Sequence, residues 1–328
     1  MILCINPNAA IDKTVTVEAL RVNAINRPTF ELALPGGKGC NVARVIKTLG
    51  RQAVVMGWAG GHAGRFIVDG LRAEGIGAAF VRTAQEARTC LSILDLSAGT
   101  VTEIYEQGRP VTEREVQSFY ALYRRWLERA HWVTLSGSLP PGAPVDFYAE
   151  LIRLARRRGV PTALDASGAP LKAGWQLGRP AMLKCNRAEL SELVGRPLTE
   201  LNDLVQAARA LAQEGGSRVV VTLGASGAVA CEPAAEDQPA ADDLPAEGGS
   251  VRAWLAQPPR VQAASAVGSG DAVLAGLVCA LLDGQPFAAA LRLGMAAGAA
   301  NTLLLGAGRL RKEDVDALRD QIRVAEVP

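Results

Sequence analysis

Short β-branched runs alternate with helical patterns along most of this chain, and that rhythm constrains the fold more than any other feature. Strand-like runs lie at 2–6, 53–57, 131–135, 161–165, 182–185 and 218–223. Helical patterns lie at 41–49, 65–74, 113–129, 144–158, 201–213 and 271–282. Parallel strands need a crossover between them, and a helix of this length supplies one. The expected fold is therefore α/β, with a mostly parallel sheet covered by helices on both faces. With 328 residues, 49% of them apolar, the chain can bury a sizeable core. One α/β unit with an appended piece fits that length as well as two domains do.

Two stretches break the rhythm. Residues 14–34 and 89–105 alternate polar and apolar side chains with no helical pattern between. They read as antiparallel strands outside the main sheet, forming a small lid. The edges of such a lid would be hidden by pairing with a second copy. Residues 232–250 are rich in Ala, Pro, Asp, Glu and Gly without periodicity, and read as an acidic surface loop.

Lys and Arg total 35 against 33 Asp and Glu. Nothing global in that balance points to a nucleic acid or a membrane surface as partner. The six Cys (Cys4, Cys40, Cys90, Cys185, Cys231, Cys279) form no C-x-x-C pair, and only His62 and His131 are present. Buried free thiols in a reducing compartment are expected, rather than a zinc site or a disulfide framework. Met1 leads straight into an apolar strand-like run, with no basic n-region and no long apolar segment. The expected location is cytoplasmic.

The strongest local signal is Ala266-Val267-Gly268-Ser269-Gly270-Asp271-Ala272, directly before an apolar helix. Gly268 and Gly270 let the backbone turn so that successive N–H groups point one way. The helix start adds free N–H groups and its positive dipole end. The product is a small anion pocket suited to a transferring phosphoryl group. Asp271 at its mouth can accept the proton of an attacking hydroxyl. The ordinary alternative is that Asp271 only caps the helix. A dinucleotide fingerprint would need Gly where Val273 stands, and Gly37-Lys38-Gly39 lacks the hydroxyl of a Walker A loop.

Three further segments carry candidate chemistry. In Pro35-Gly36-Gly37-Lys38-Gly39-Cys40-Asn41-Val42-Ala43, the glycines permit close approach to a polyol. There Lys38 supplies charge, and Asn41 offers both donor and acceptor. In Lys184-Cys185-Asn186-Arg187-Ala188-Glu189, Asn186 and Glu189 fit a capping box, or oxygen ligands near a magnesium–triphosphate. Thr222-Leu223-Gly224-Ala225-Ser226-Gly227 reads as a tight strand-to-strand turn that could approach a nucleotide. Taken alone, each of the last two also reads as purely structural.

Taken in order, Gly36-Gly37-Lys38-Gly39-Cys40-Asn41, Asn186-Arg187-Ala188-Glu189, Thr222-Leu223-Gly224 and Gly268-Ser269-Gly270-Asp271 resemble the PfkB family of ribokinase-like carbohydrate kinases. The resemblance covers nearly the whole chain apart from 232–250. Within the family the chain is most similar to the branch of 1-phosphofructokinase and tagatose-6-phosphate kinase. That likeness rests on Asn6-Pro7-Asn8-Ala9-Ala10-Ile11-Asp12, Asn26-Arg27, Ala87-Arg88-Thr89-Cys90, Thr102-Glu103-Ile104 and Ser136-Gly137-Ser138-Leu139-Pro140-Pro141-Gly142. The resemblance implies a single ribokinase-like domain over 1–328, a three-layer α/β/α sandwich with lid strands within 12–35 and 88–107.

The resemblance also implies roles. Asp12 and Asn41 would bond sugar hydroxyls, beside the Gly36-Gly37 backbone. Arg88, Lys38, Arg27 and Ser138 would hold a phosphate already on the sugar, with Arg27 in a lid that pairs with a second subunit as a homodimer. Lys184, Asn186 and Glu189 would face the triphosphate of ATP and its Mg2+. Thr222, Gly224 and Gly227 would line the nucleotide, and Asn301 would sit near the adenine. Gly268, Ser269 and Gly270 would form the anion hole, and Asp271 would be the base. Cys185 stands where the family usually has Pro, and Ala272 where Ser is frequent.

The expected reaction is phosphoryl transfer from ATP to the free primary hydroxyl of a ketohexose monophosphate. Fructose 1-phosphate ranks first, then tagatose 6-phosphate and fructose 6-phosphate. A kinase of unphosphorylated sugars or nucleosides would need neither Lys38 nor Arg88. A silent sugar-phosphate sensor would not need Asp271 and the intact glycine turn.

Overall fold

The computed structural model describes residues 1–234 and 250–327. Its strands, in chain order, are β1 (Ile2–Asn8), β2 (Ala10–Val17), β3 (Phe30–Gly36), β4 (Ala53–Gly60), β5 (Gly77–Thr83), β6 (Arg88–Asp95), β7 (Thr100–Tyr105), β8 (Trp132–Ser136), β9 (Thr162–Asp165), β10 (Met182–Asn186), β11 (Arg218–Thr222), β12 (Ala228–Pro233), β13 (Val251–Gln257) and β14 (Arg323–Val327). The α-helices are α1 (Lys38–Thr48), α2 (Gly61–Ala73), α3 (Glu113–Leu127), α4 (Phe147–Arg156), α5 (Gly168–Ala173), α6 (Arg187–Val194), α7 (Leu201–Gly215), α8 (Ser269–Leu282), α9 (Phe287–Asn301) and α10 (Lys312–Arg319).

Ten strands form one sheet in the order β14-β13-β12-β11-β10-β9-β8-β1-β4-β5. The seven from β11 to β5 pair in parallel, while β12, β13 and β14 extend the sheet antiparallel. Strand side chains alternate between two cores. Ile2 and Cys4 face the one containing Val42, Ile46 and Leu274, whereas Leu3 and Ile5 face the one containing Phe119, Tyr123 and Leu151. Burial on both faces is why these strands read as continuous apolar runs rather than as alternation. The fold is ribokinase-like: a large, mostly parallel sheet between helical layers, with a small separate sheet.

That small sheet has the order β3-β2-β6-β7. Two antiparallel hairpins, β2–β3 and β6–β7, meet at a parallel β2–β6 pair. The expectation of antiparallel strands is corrected at that join. The sheet also starts earlier than residue 12, because Ala10 pairs with both Gly36 and Arg88. Sequence patterning missed β5, β13 and β14, and gave β12 only as the strand that must follow the 222–227 turn. It also missed α9, whose run FAAALRLGMAAGAAN has no continuous polar face to set a helical period. Glycines let α8 and α9 pack closely: a Cβ on Gly276 would lie 2.7 Å from the Gly294 Cα. The expected loop over 232–250 is corrected at its start. Glu232 and Pro233 belong to β12, pairing with Arg252 and Val251, and Glu232 holds Arg218 at 2.7 Å. Residues 235–249, the rest of that reading, lie outside the described residues.

Candidate active site

The chemistry-bearing segments converge where β1, β9, β10 and β11 end. Helix α8 starts from Gly268, whose φ of 81° is left-handed and whose Cβ, if present, would meet Ala307 and Gly308 within 3 Å. Only Gly tolerates that backbone without strain. No side chain caps the helix, so Asp271 is its third residue and not its cap. The capping alternative is thereby excluded. The Ser269 N–H turns to Ala266 O at 3.2 Å, and among the described residues the Gly270 and Asp271 N–H groups have no partner. The free donors of the turn therefore include the Asp271 amide, while the Ser269 amide is engaged and its hydroxyl accepts from Asn301 Nδ2 at 3.3 Å.

Asp271 is buried, and its Oδ2 accepts a hydrogen bond from Asn41 Nδ2 at 2.9 Å. Behind it stands Asp165, fully buried at the end of β9. Asp165 accepts from Lys38 Nζ at 2.9 Å and from Lys184 Nζ at 2.8 Å. A Cβ on Gly270 would lie 2.8 Å from the Lys184 ammonium, so that charge sits against the glycine turn. Two ammonium groups and two carboxylates thus share one small volume. Burial pushes the Asp271 carboxyl up and Asp165 adds to the push, against Lys38, Lys184 and the Asn41 amide, leaving its pKa at about 6. Asp165 also suffers burial, but Lys184 and Lys38 together hold it down at about 2. For Lys38, burial acts downward and the Asp165 and Asp271 carboxylates more than reverse it, so its pKa is raised. The two carboxyls are thus pushed apart, Asp271 upward by burial and Asp165 downward by its two ammonium partners.

Around this centre, β2 brings Asp12 to the glycine loop, where its Oδ2 accepts from the Gly37 N–H at 3.1 Å. A Cβ on Gly36 would overlap the Asp12 carboxylate at 2.1 Å, which explains the glycine there. Burial raises the Asp12 pKa, opposed by the Gly37 N–H, Arg44 and Arg88 and assisted by Glu103. Asn6 in β1 clasps the same loop, donating to Gly36 O at 3.0 Å and accepting from Gly39 N at 3.2 Å. Arg88 donates from Nε to Asn8 O at 3.2 Å and from Nη1 to Glu106 O at 2.9 Å. Asn8 in turn donates to Ser138 Oγ at 3.1 Å, and Gly137 abuts Lys38. Arg88, Ser138 and Lys38 therefore border one region. Arg27 does not join them. It lies in the exposed connection beyond the far end of β2, roughly 20 Å along that strand from Arg88.

On the other flank, Asn186 and Glu189 form a complete capping box on α6. Asn186 Oδ1 accepts from the Glu189 N–H at 2.9 Å, and Glu189 Oε2 accepts from the Asn186 N–H at 2.8 Å. Thr222 lies beside Asn186 across the β10–β11 pair, and its hydroxyl donates to Cys185 O at 3.3 Å. Gly224 and Gly227, both at positive φ, make the β11–β12 turn, and a side chain on Gly227 would strike Ala256 O. Asn301, expected near the adenine, is fully buried, donates to Val267 O and Ser269 Oγ, and accepts from the Gly308 N–H. With both ends of its amide engaged, it braces the glycine turn from behind. Sequence reasoning missed Asp165 and Arg44. Asp165 is hidden as the last residue of an apolar strand, and Arg44 as one more basic residue on an amphipathic helix.

A buried carboxylate next to helix N–H groups and two ammonium charges suits phosphoryl transfer to a hydroxyl group. The pfkB family carbohydrate kinase profile matches residues 8–313, and the chain belongs to that family. Solved structures agree. A possible 1-phosphofructokinase from Thermotoga maritima is 28% identical, with a TM-score of 0.86 and 100% of both chains covered. Phosphofructokinase-2 from Escherichia coli, in complex with substrates and products, is 28% identical with a TM-score of 0.84, covering 98% of each chain. Its tetrameric inhibited form is 29% identical, with a TM-score of 0.83 over 98% of each chain. No helix among the described residues is long and apolar enough to cross a membrane.

Proposed function

We propose that the protein transfers the terminal phosphoryl group of ATP to the free primary hydroxyl of a ketohexose monophosphate, with fructose 1-phosphate as the favoured substrate and fructose 1,6-bisphosphate as product. The observation that carries this is the buried Asp271, held by Asn41 and facing Lys38 and Lys184 beside the free N–H groups of α8. Asp271 takes the hydroxyl proton while the attacking oxygen approaches phosphorus. The Gly270 and Asp271 N–H groups and Lys184 meet the charge carried by the transferred group. Asp12 and Asn41 hold sugar hydroxyls and so orient the nucleophile.

For the phosphate already on the sugar, Arg88 is the anchor. Two backbone carbonyls fix its guanidinium, and among the described residues Nη2 has no hydrogen-bond partner. A preset planar fork suits a phosphate. Ser138 and Lys38 border the same region, and Arg27 of a second copy would complete it. The small sheet supports such pairing: Phe30, Val101, Ile104 and Tyr105 are 40–57% exposed on β3 and β7. Sedimentation velocity at micromolar concentration should show a dimer, and a monomer would remove Arg27 from the site.

For the nucleotide, Lys184, Asn186, Thr222, Gly224 and Gly227 would flank the bound chain of phosphates and its nucleoside. Beside them Ala225 and Ser226 of the β11–β12 turn border an open cleft with Gln257, Arg260, Asp320 and Arg323. No cluster of three or more His, Cys, Asp or Glu side chains able to hold a metal occurs among the described residues. Magnesium typically keeps its waters and takes one or two carboxylates plus phosphate oxygens, so Glu189, with Oε2 in the capping box and Oε1 available, fits as a single ligand. The ion would neutralise triphosphate charge.

The deciding experiment is a coupled ADP-release assay with Mg-ATP against fructose 1-phosphate, fructose 6-phosphate, tagatose 6-phosphate, free fructose, ribose and adenosine. A kcat/KM for fructose 1-phosphate at least about tenfold above the others is expected, a gap of ~1.4 kcal/mol in transition-state binding. Preference for free sugars or adenosine would overturn the proposal. In the same assay Arg88→Ala should raise KM for the phosphorylated sugar at least about tenfold, the loss of one charge-assisted anchor. KM for ATP should stay within about twofold. Equal effects on both would take Arg88 out of the sugar-phosphate role.

A further inference from the structure

Arg44 is a buried cation that lies outside the phosphate-binding chemistry. It is 8% exposed and sits one helical turn after Asn41 on α1. Its Nε and Nη2 engage both oxygens of Glu74, at 2.7 and 3.0 Å. That pair satisfies the charge. The remaining donors reach three other places: Nη2 to Pro35 O at 2.8 Å, Nη1 to Ala307 O at 2.9 Å, and Nη1 to Asn41 Oδ1 at a longer 3.4 Å.

Each of these contacts bears on the reacting centre. Pro35 belongs to β3 of the small sheet and leads into the Gly36-Gly37 loop. Ala307 is the residue against which Gly268 packs, and the next residue, Gly308, donates to Asn301, which braces Val267 and Ser269. Asn41 is the hydrogen-bond partner of Asp271. The neighbours of an Asn side chain decide which way its amide faces. With a guanidinium donor on one side and a carboxylate on the other, only Oδ1 towards Arg44 and Nδ2 towards Asp271 pairs donors with acceptors. The flipped amide would set N–H against N–H and oxygen against oxygen.

We infer that Arg44 is a positioning residue for phosphoryl transfer, fixing the Asn41 amide and the Ala307–Gly308 wall in the one arrangement that presents a donor to Asp271, and tying that arrangement to the small sheet through Pro35. This rests on the reading of Asp271 as the base. The charged and polar groups that face Asp271 are Lys38 and Asn41 from α1, Asp165 from β9 and Lys184 from β10. Arg44 acts on it only through Asn41. The Asn41 bond favours the ionised carboxylate, so losing its orientation makes Asp271 easier to protonate and moves the acidic limb of the kcat profile to higher pH.

The test uses the intact chain and fructose 1-phosphate, or whichever sugar of the panel is turned over. Arg44→Lys and Arg44→Gln are compared with Glu74→Gln, which weakens the same ion pair without touching Asn41. The Arg44 variants should lose about tenfold to a hundredfold in kcat, the scale of a small misplacement of a reacting group. Their KM for ATP should stay near that of the wild type, and their acidic limb should rise. Glu74→Gln should lower Tm and leave the limb in place. In an Asn41→Ala background, Arg44→Lys should no longer move the acidic limb, because the relay to Asp271 is already gone, and only the smaller kcat loss that runs through the Ala307–Gly308 wall should remain. An equal shift of the limb with and without Asn41, or the same pH profile for Arg44→Lys and Glu74→Gln, would overturn the inference. So would failure of both Arg44 variants to fold while Glu74→Gln folds, which would assign Arg44 to stability alone. Asp271→Asn is assayed in parallel. If it keeps wild-type kcat, the base reading has failed. If it loses kcat while the Arg44 variants are unaffected, only the relay has failed.

Discussion

Asp271→Asn is expected to lower kcat by about a thousandfold or more, the upper part of the range for a lost general base, without lowering Tm. Asparagine keeps the shape of the side chain and its contact with Asn41, but it cannot accept the proton. The stability half of this expectation follows from the direction of the shift. Burial raises the Asp271 pKa from its ordinary value of 3.8 to about 6. A carboxyl group raised in the folded state favours folding most at low pH, below its unfolded pKa, and that contribution is lost as pH rises through 6. At pH 8 the ionised carboxylate therefore burdens the fold, and the amide removes the burden. The wild-type kcat should fall on the acid side with an apparent pKa near 6. This limb belongs to the whole cluster of Asp271, Lys38, Asp165 and Lys184. Thermal unfolding at pH 8 and a kcat profile from pH 5 to 9 check both halves. A variant that loses Tm along with kcat would return Asp271 to a structural role.

Asp165→Asn should do the reverse, with stability as the main loss. Its carboxylate is the buried counter-ion of two ammonium groups. Removing one partner of a buried pair leaves an unpaired charge and costs roughly 3–5 kcal/mol. Lys38 keeps 36% of its side chain exposed, so water screens part of its share, while Lys184 at 6% has no such relief. For a chain of this size the loss corresponds to a fall in Tm of about 5–10 °C. Burial opposes the charge, but Lys184 and Lys38 depress the folded pKa to about 2. The stabilisation is therefore full above the unfolded carboxylate value and disappears as pH falls through 2. Because the Asp165 charge pushes Asp271 up, its removal should also shift the acidic limb of kcat to lower pH. Differential scanning calorimetry at pH 7 reads the first effect. An unchanged Tm would mean that the two lysines find other partners.

Much of this was legible in the sequence. Apolar runs at 2–6, 131–135, 161–165 and 218–223 announced buried parallel strands, because a strand covered on both faces needs no polar alternation. The Gly268-Ser269-Gly270-Asp271 turn was legible because two glycines around a serine directly before an apolar run mark a turn into a helix. The capping box of Asn186 and Glu189 follows from local spacing alone.

What could not be read depended on contacts between residues far apart in the chain. Asp271 meets Asn41 across 230 positions, and Lys38 meets Asp165 across 127. No local pattern encodes such a meeting. The parallel β2–β6 join and the antiparallel extension β12-β13-β14 were likewise set by which edges remained to be paired. The chain by itself determined the layers, the glycine turns and the place of Asp271 directly after one of them, because these rest on backbone sterics and side-chain period. Only the tertiary structure decided which charges share a volume with Asp271. It turned Asn301 and Arg44 into buried braces and Asp165 into a counter-ion, because burial and electrostatic pairing belong to the folded arrangement and not to any single stretch of residues.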